Sequence, residues 1–196
     1  MKEDVKKSWL NFLNPKTLRS NLIAASVFLS AFEILKDCII ERPKEFYTTG
    51  FNENGLIINK DYNLKVLSLH KSPIYASLKW FKNHNAINQK DIDIFTGIKN
   101  CRNELAHELP NFITTGIKSD PTPNFELIIE LLGKIEQWWI YHVELAVNPD
   151  FDNMDVDENE IVPGRLITIQ MLINIALGSE EEANSCYKEF IRQNAL

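Results

Sequence analysis

Cysteine is too scarce here for a disulfide scaffold: Cys38, Cys101 and Cys186 are the only three in 196 residues. They are odd in number, far apart and free of Cys-x-x-Cys spacing, which also excludes a zinc cluster and points to reduced thiols. The seven glycines form no phosphate-cradling loop, and no Gly-x-Ser-x-Gly marks a serine nucleophile. The most apolar stretch near the start, Leu22 to Phe32, is too short for a bilayer and runs into Glu33, Lys36 and Asp37. It also lacks the flanks of a signal peptide. Internal repeats and low-complexity tracts are missing too. A soluble, cytoplasmic protein with no membrane partner is expected, long enough to bury a substantial core.

Charge is present but unevenly spread. The net value is −6, which argues against a general nucleic-acid coat. Residues 60–102 hold eight Lys/Arg against three Asp/Glu, whereas residues 103–196 hold five against seventeen. The basic block ends at Arg102 and is either a solvated helix face or a phosphate-facing surface.

Apolar periodicity is mostly that of helices. Ile23, Val27, Ala31, Ile34, Leu35 and Cys38 predict an amphipathic helix over 20–40, capped by Ser20 or Asn21 and ending before Arg42-Pro43. Aromatic and β-branched residues around Asn54-Gly55 predict a small hairpin within 46–62, which must lean on helices. A short helix follows Pro73 and breaks at Asn83-His84-Asn85. The next begins at Asn88, with Asp91 three positions on, carries Ile94, Phe95, Ile98, Cys101, Leu105 and Leu109, and is stopped by Pro110. Thr122-Pro123 opens a long helix through Leu127, Leu131, Ile135, Trp138, Tyr141 and Leu145. Two more follow, from Pro163 to Leu177 with Gly178 as the C′ residue, and from Ser179 to about Gln193. The reading is one mainly α domain over 1–196, an up-and-down helical bundle with a hairpin insertion. Its core spans about 20–147, and a helical extension covers 161–194.

On the helix from Asn88 lies Arg102-Asn103-Glu104-Leu105-Ala106-His107. At about 100° per residue, Arg102 sits about 40° from Ile98 and borders the packed face. His107 sits about 180° away, in line with Asn103. With Pro110 ending the helix, His107 would lie beside the C-terminus, where the dipole favours imidazolium and an ordinary pKa of about 6.5 allows proton transfer. Arginine and histidine alone would be an ordinary helix residue and a capping side chain; the residues between them carry the match further.

The stretch resembles the Arg-x4–6-His signature of HEPN domains, with a polar residue after the arginine and small or aliphatic residues before the histidine. The helix reading Ala31-Phe-Glu-Ile-Leu35 and the later long helix resemble that family as well. The resemblance implies a four-to-five-helix bundle, usually a homodimer, in which two motifs meet at a cleft and cut RNA without metal. It implies that Arg102 holds the scissile phosphate, His107 transfers protons and Asn103 orients one or the other. It also implies a toxin or phage-defence setting, with an antitoxin or nucleotidyltransferase as partner and no cofactor. This one chemistry stands against two alternatives, a catalytically silent HEPN binding module and a helical protein-protein adaptor using the acidic C-terminal block.

Other constellations are weaker. An EF-hand over Asp150 to Glu160 would need an oxygen ligand at Met154 and glycine at Asp155, so a solvated linker or a partner-facing acidic patch is expected. His142 with Glu144 two positions on has the wrong spacing for a zinc pair. His70 and His84 read as partnerless surface histidines, Cys101 as a buried thiol, and Trp80, Phe81, Trp138 and Trp139 as core.

Overall fold

The computed structural model describes residues 6, 9–10, 12–53, 55–115, 122–151 and 154–194; the side chains of 107–115 and 122 lie outside the described set. Helix α1 (Pro15–Phe46) begins where Asn14, in extended conformation, accepts from the backbone N–H groups of Lys16 and Thr17 at 3.0 and 3.3 Å. Pro15 at the first helical position costs no hydrogen bond there. The helix is thus longer at both ends than the expected 20–40 span. It runs through Pro43, which is buried, and the loss of that N–H is offset by core packing and by ion pairs of the neighbouring Arg42.

Strands β1 (Thr48–Asn52) and β2 (Gly55–Ile58) pair antiparallel, Thr48 opposite Ile58 and Asn52 opposite Gly55. Gly55 has φ +109°, a conformation side chains disfavour; Asn54, expected in this turn, lies outside the described residues. As anticipated, the hairpin leans on helices. Asn59 N–H donates to Tyr47 O at 2.8 Å, and the Tyr47 ring sits between Tyr62 and Trp80.

The short α2 (Asp61–Lys65) leads to α3 (Pro73–Asn83), which ends before Asn85 at φ +61°. Helix α4 (Gln89–Thr115) starts with a reciprocal cap: Asn88 Oδ1 accepts from Lys90 and Asp91 N–H, and Asp91 accepts from Asn88 N–H at 2.9 Å. It continues past Pro110 to Thr115, contrary to the expected stop, because an internal proline removes one hydrogen bond and kinks a helix without having to end it. His107 is therefore an interior helix residue, and the dipole argument for its protonation falls away.

Helix α5 (Thr122–Trp139) passes into a π turn (Ile140–Glu144) and a 3-10 turn (Leu145–Val147) instead of staying α-helical to Asn148. The π register brings Glu144 within 2.8 Å of the Trp139 indole N–H, five residues back. Tyr141, expected on the apolar stripe, is exposed. The acidic segment forms 3-10 turns at Pro149–Phe151 and Glu158–Glu160, with Asp152 and Asn153 outside the described residues. Helices α6 (Gly164–Leu177) and α7 (Glu180–Asn194) form a terminal helical pair.

Helix α1 is the spine, packed by α3, α4, α5 and α6. Its Phe28, Ala31, Leu35, Cys38 and Ile39 are fully buried with Phe95 and Ile98 of α4, Leu78 and Phe81 of α3 and Ile128, Leu132 and Ile135 of α5. Each large side chain so placed contributes about 1.5–3 kcal/mol. Among the described residues one segment, Glu158–Leu177, reaches the length and apolarity of a membrane span; sequence reading passed over it. Arg165 and the fully buried Ile169 tie it to the bundle, while Ile167, Met171 and Ile175 are exposed.

Candidate functional site

Helices α1 and α4 lie side by side so that Glu33, Lys36 and Ile40, on one face of α1, confront Lys99, Arg102 and Asn103 on one face of α4. With Phe32 and the Ser72-Pro73-Ile74 start of α3 they line an open cleft of about 330 Å³. Arg102 borders the packed face as its wheel position requires. Its guanidinium carbon stands 5.6 Å from the centre of the Phe32 ring, which stacks on Phe95. Arg102 Nη2 donates to Glu33 Oε1 at 3.1 Å, and Lys36 pairs with the other Glu33 oxygen. Arg102 Nε is shielded from solvent and has no acceptor. Lys99 Nζ lies 4.9 Å over the Tyr75 ring.

The Lys36 ammonium, and after it Arg102, holds the Glu33 carboxyl below its ordinary value, against partial burial that pushes it up. Three cations therefore face one carboxylate across an apolar floor of Phe32, Ile40, Pro73 and Ile74. Helix α3 also presents its positive end here, since Ser72 makes no side-chain cap bond.

Of the three residues singled out by sequence, Arg102 and Asn103 line this cleft. The His107 side chain lies outside the described residues; its backbone is helical, five residues or about 7.5 Å along α4 from Arg102. Glu104 is exposed and absent from the lining, and the Glu108 side chain is outside the described set. Sequence reading missed Glu33, Lys36 and Lys99. Their i,i+3 and i,i+4 spacings were visible, but nothing local joins residue 33 to residue 102.

A second cleft of about 430 Å³ is lined by His84, Lys134, Trp138, His142 and Glu158, among others. His84 is not partnerless: its ring lies 4.1 Å from that of Trp80, and Nδ1 lies 2.8 Å from Trp80 O. His142 stacks on Trp138, with Nδ1 3.2 Å from Trp138 O. Because a carbonyl only accepts, Nδ1 carries the proton in each neutral ring. His70, also expected to stand alone, accepts from Ser72 N–H at 3.0 Å. Lys134 is committed to Asp91 at 2.7 Å.

The three cysteines are free. Burial pushes the Cys101 thiol up, and Cys38 further, which disfavours thiolate chemistry at either. Cys38 belongs to another polar centre that sequence reading missed, around the buried Glu136 of α5. An acid falling between Leu132, Ile135 and Trp139 on the apolar face was the available signal.

Comparison with family models, curated proteins and solved structures gives no match for this chain.

Proposed function

We propose that the chain is a metal-independent endoribonuclease of HEPN type, acting as a dimer. The observation that carries this reading is the convergence of Arg102 and Asn103 with Lys36 and Lys99 on one open cleft. Cleavage by the ribose 2′-OH forms a bond from that oxygen to the adjacent phosphorus and breaks the bond to the 5′-oxygen. A base must take the 2′-OH proton, an acid must protonate the departing 5′-oxygen, and a cation must offset charge on the phosphate. Arg102 serves as that cation, Asn103 positions its neighbours, and His107 moves protons. One chain supplies one such histidine, so two copies of α4 facing each other complete the base and acid. DNA, lacking the 2′-OH, is spared.

A cytoplasmic toxin or phage-defence effector, restrained by an antitoxin or nucleotidyltransferase, is the matching setting. The second reading is a binding module without catalysis, favoured by the Glu33 carboxylate that already engages Arg102. Purified protein incubated with varied RNAs in EDTA separates the two. Cutting that persists in chelator and disappears in both Arg102→Ala and His107→Ala is expected. A folded dimer that leaves every RNA intact, or a strictly monomeric protein, overturns the catalytic reading.

A further inference from the structure

We propose that the cleft between α1, α3 and α4 is a single-nucleotide subsite for an RNA strand, occupied in the free protein by Glu33, which the strand's phosphate displaces from Arg102 and Lys36. This rests on the reading that the chain acts on RNA.

The first argument is the state of Arg102. The side-on edge of a guanidinium consists of Nε and Nη2, and it matches two oxygens of a carboxylate or phosphate. Glu33 uses only Nη2, leaving Nε without an acceptor. A phosphate in place of that carboxylate can accept from both atoms. The second is charge: Lys36, Lys99 and Arg102 against Glu33 leave a net excess of two cations at one opening. The third is shape. About 330 Å³ is at the low end for ligand pockets, enough for one nucleotide and too little for a duplex, and the apolar floor offers a surface for a base. The uncapped start of α3 adds partial positive charge on the same side.

Displacement is feasible because Glu33 and Arg102 are 39% and 34% exposed, and ion pairs that solvent reaches are weak. Glu33 thus lowers affinity for weak or stray anions while yielding to a strand that engages several cations together.

The test is binding of a fluorescent single-stranded RNA with 2′-O-methyl riboses, which cannot be cut, followed by anisotropy at several salt concentrations. Glu33→Gln should bind roughly three- to ten-fold tighter than the natural chain, because the phosphate no longer has to displace a carboxylate. The slope of log affinity against log salt should change by less than the about 0.7 that one added single-strand phosphate contact would bring, the same contacts forming in both. Glu181→Gln on α7 removes the same charge elsewhere and should shift affinity less than two-fold. Inorganic phosphate and a mononucleotide, added as competitors, tell a bare phosphate site from a nucleotide site; competition by phosphate at equal strength overturns the base contact. The subsite is overturned if Glu33→Gln, with an unchanged circular dichroism melt, binds no tighter than the natural chain, or if neither binds. RNA cutting that depends on Arg102 and His107 alongside an unaltered Glu33→Gln affinity sinks the subsite and leaves the ribonuclease. The tightening without any cutting does the reverse.

Discussion

The Glu136 carboxylate accepts both side-on nitrogens of Arg42, Nε at 2.9 Å and Nη2 at 2.8 Å, although the two residues are 94 positions apart. Arg165 and the Cys38 thiol add two further donors to Oε1, each at 2.9 Å. This one buried acid links α1, α5 and α6, and Arg42 also covers the Trp139 ring at 5.0 Å. Glu136→Ala leaves Arg42 beside a desolvated void, and losing one partner of such a pair costs about 3–5 kcal/mol. Urea denaturation should show a loss of that size, larger than for Glu45→Ala, which removes only an exposed partner of the same arginine.

The same centre sets an acid limit. Burial pushes the Glu136 carboxyl up, but hydrogen bonds from Arg42 and Cys38 and the charges of Arg42 and Arg165 outweigh it and hold the group below its ordinary value. A carboxyl lowered on folding stabilises fully above its unfolded pKa of about 4.3, and that contribution is lost as pH falls through the folded value. Melting temperatures should therefore decline below about pH 4.3, and less steeply in Glu136→Gln, whose side chain does not titrate.

Thiol accessibility should follow burial. Cys38 and Cys101 are buried and Cys186 is partly exposed. Brief alkylation of the native protein at pH 8, read by mass spectrometry, should modify Cys186 alone, with all three reacting in urea. Rapid native labelling of Cys38 would contradict its packing against Glu136.

Gly178 closes α6 for a reason other than backbone freedom. Its φ is −71°, outside the left-handed region expected of a C′ glycine, yet an added Cβ would meet Asn174 O at 2.4 Å. Gly178→Ala should cost about 1–3 kcal/mol, as overpacking does, and shift the thermal midpoint down.

Lys99 faces the cleft without a carboxylate partner among the described contacts, its ammonium resting over Tyr75. If the chain cuts RNA as proposed, Lys99→Ala should raise KM for RNA several-fold, leave kcat within about two-fold and flatten the salt dependence by the equivalent of one phosphate contact. A fall in kcat with constant KM would assign it to the chemical step instead.

Where the sequence was legible, the interactions were local. Asn88 with Asp91, the helix starts at Pro73 and Ser179 and the turn at Gly55 could be read because caps and tight turns join residues close in sequence. Pro43 and Pro110 misled for the complementary reason. Proline opposes a helix locally, whereas α1 and α4 carry theirs inside longer helices that continue past one lost hydrogen bond. Arg102 and Asn103 were found through their pattern, while Glu33, Lys36 and Lys99 acquired meaning only beside them.

The sequence by itself determined a mainly helical chain with one hairpin, and it marked out Arg102 as bordering the packed face of its helix. Tertiary structure alone decided which charges meet: Glu33 with Arg102 across 69 residues, Asp91 with Lys134 across 43, and Glu136 with Arg42 across 94. Periodicity shows which side of a helix turns inward, but not which helix it will face. Pairing between distant charges is settled only when apolar faces have chosen their neighbours and set the distances.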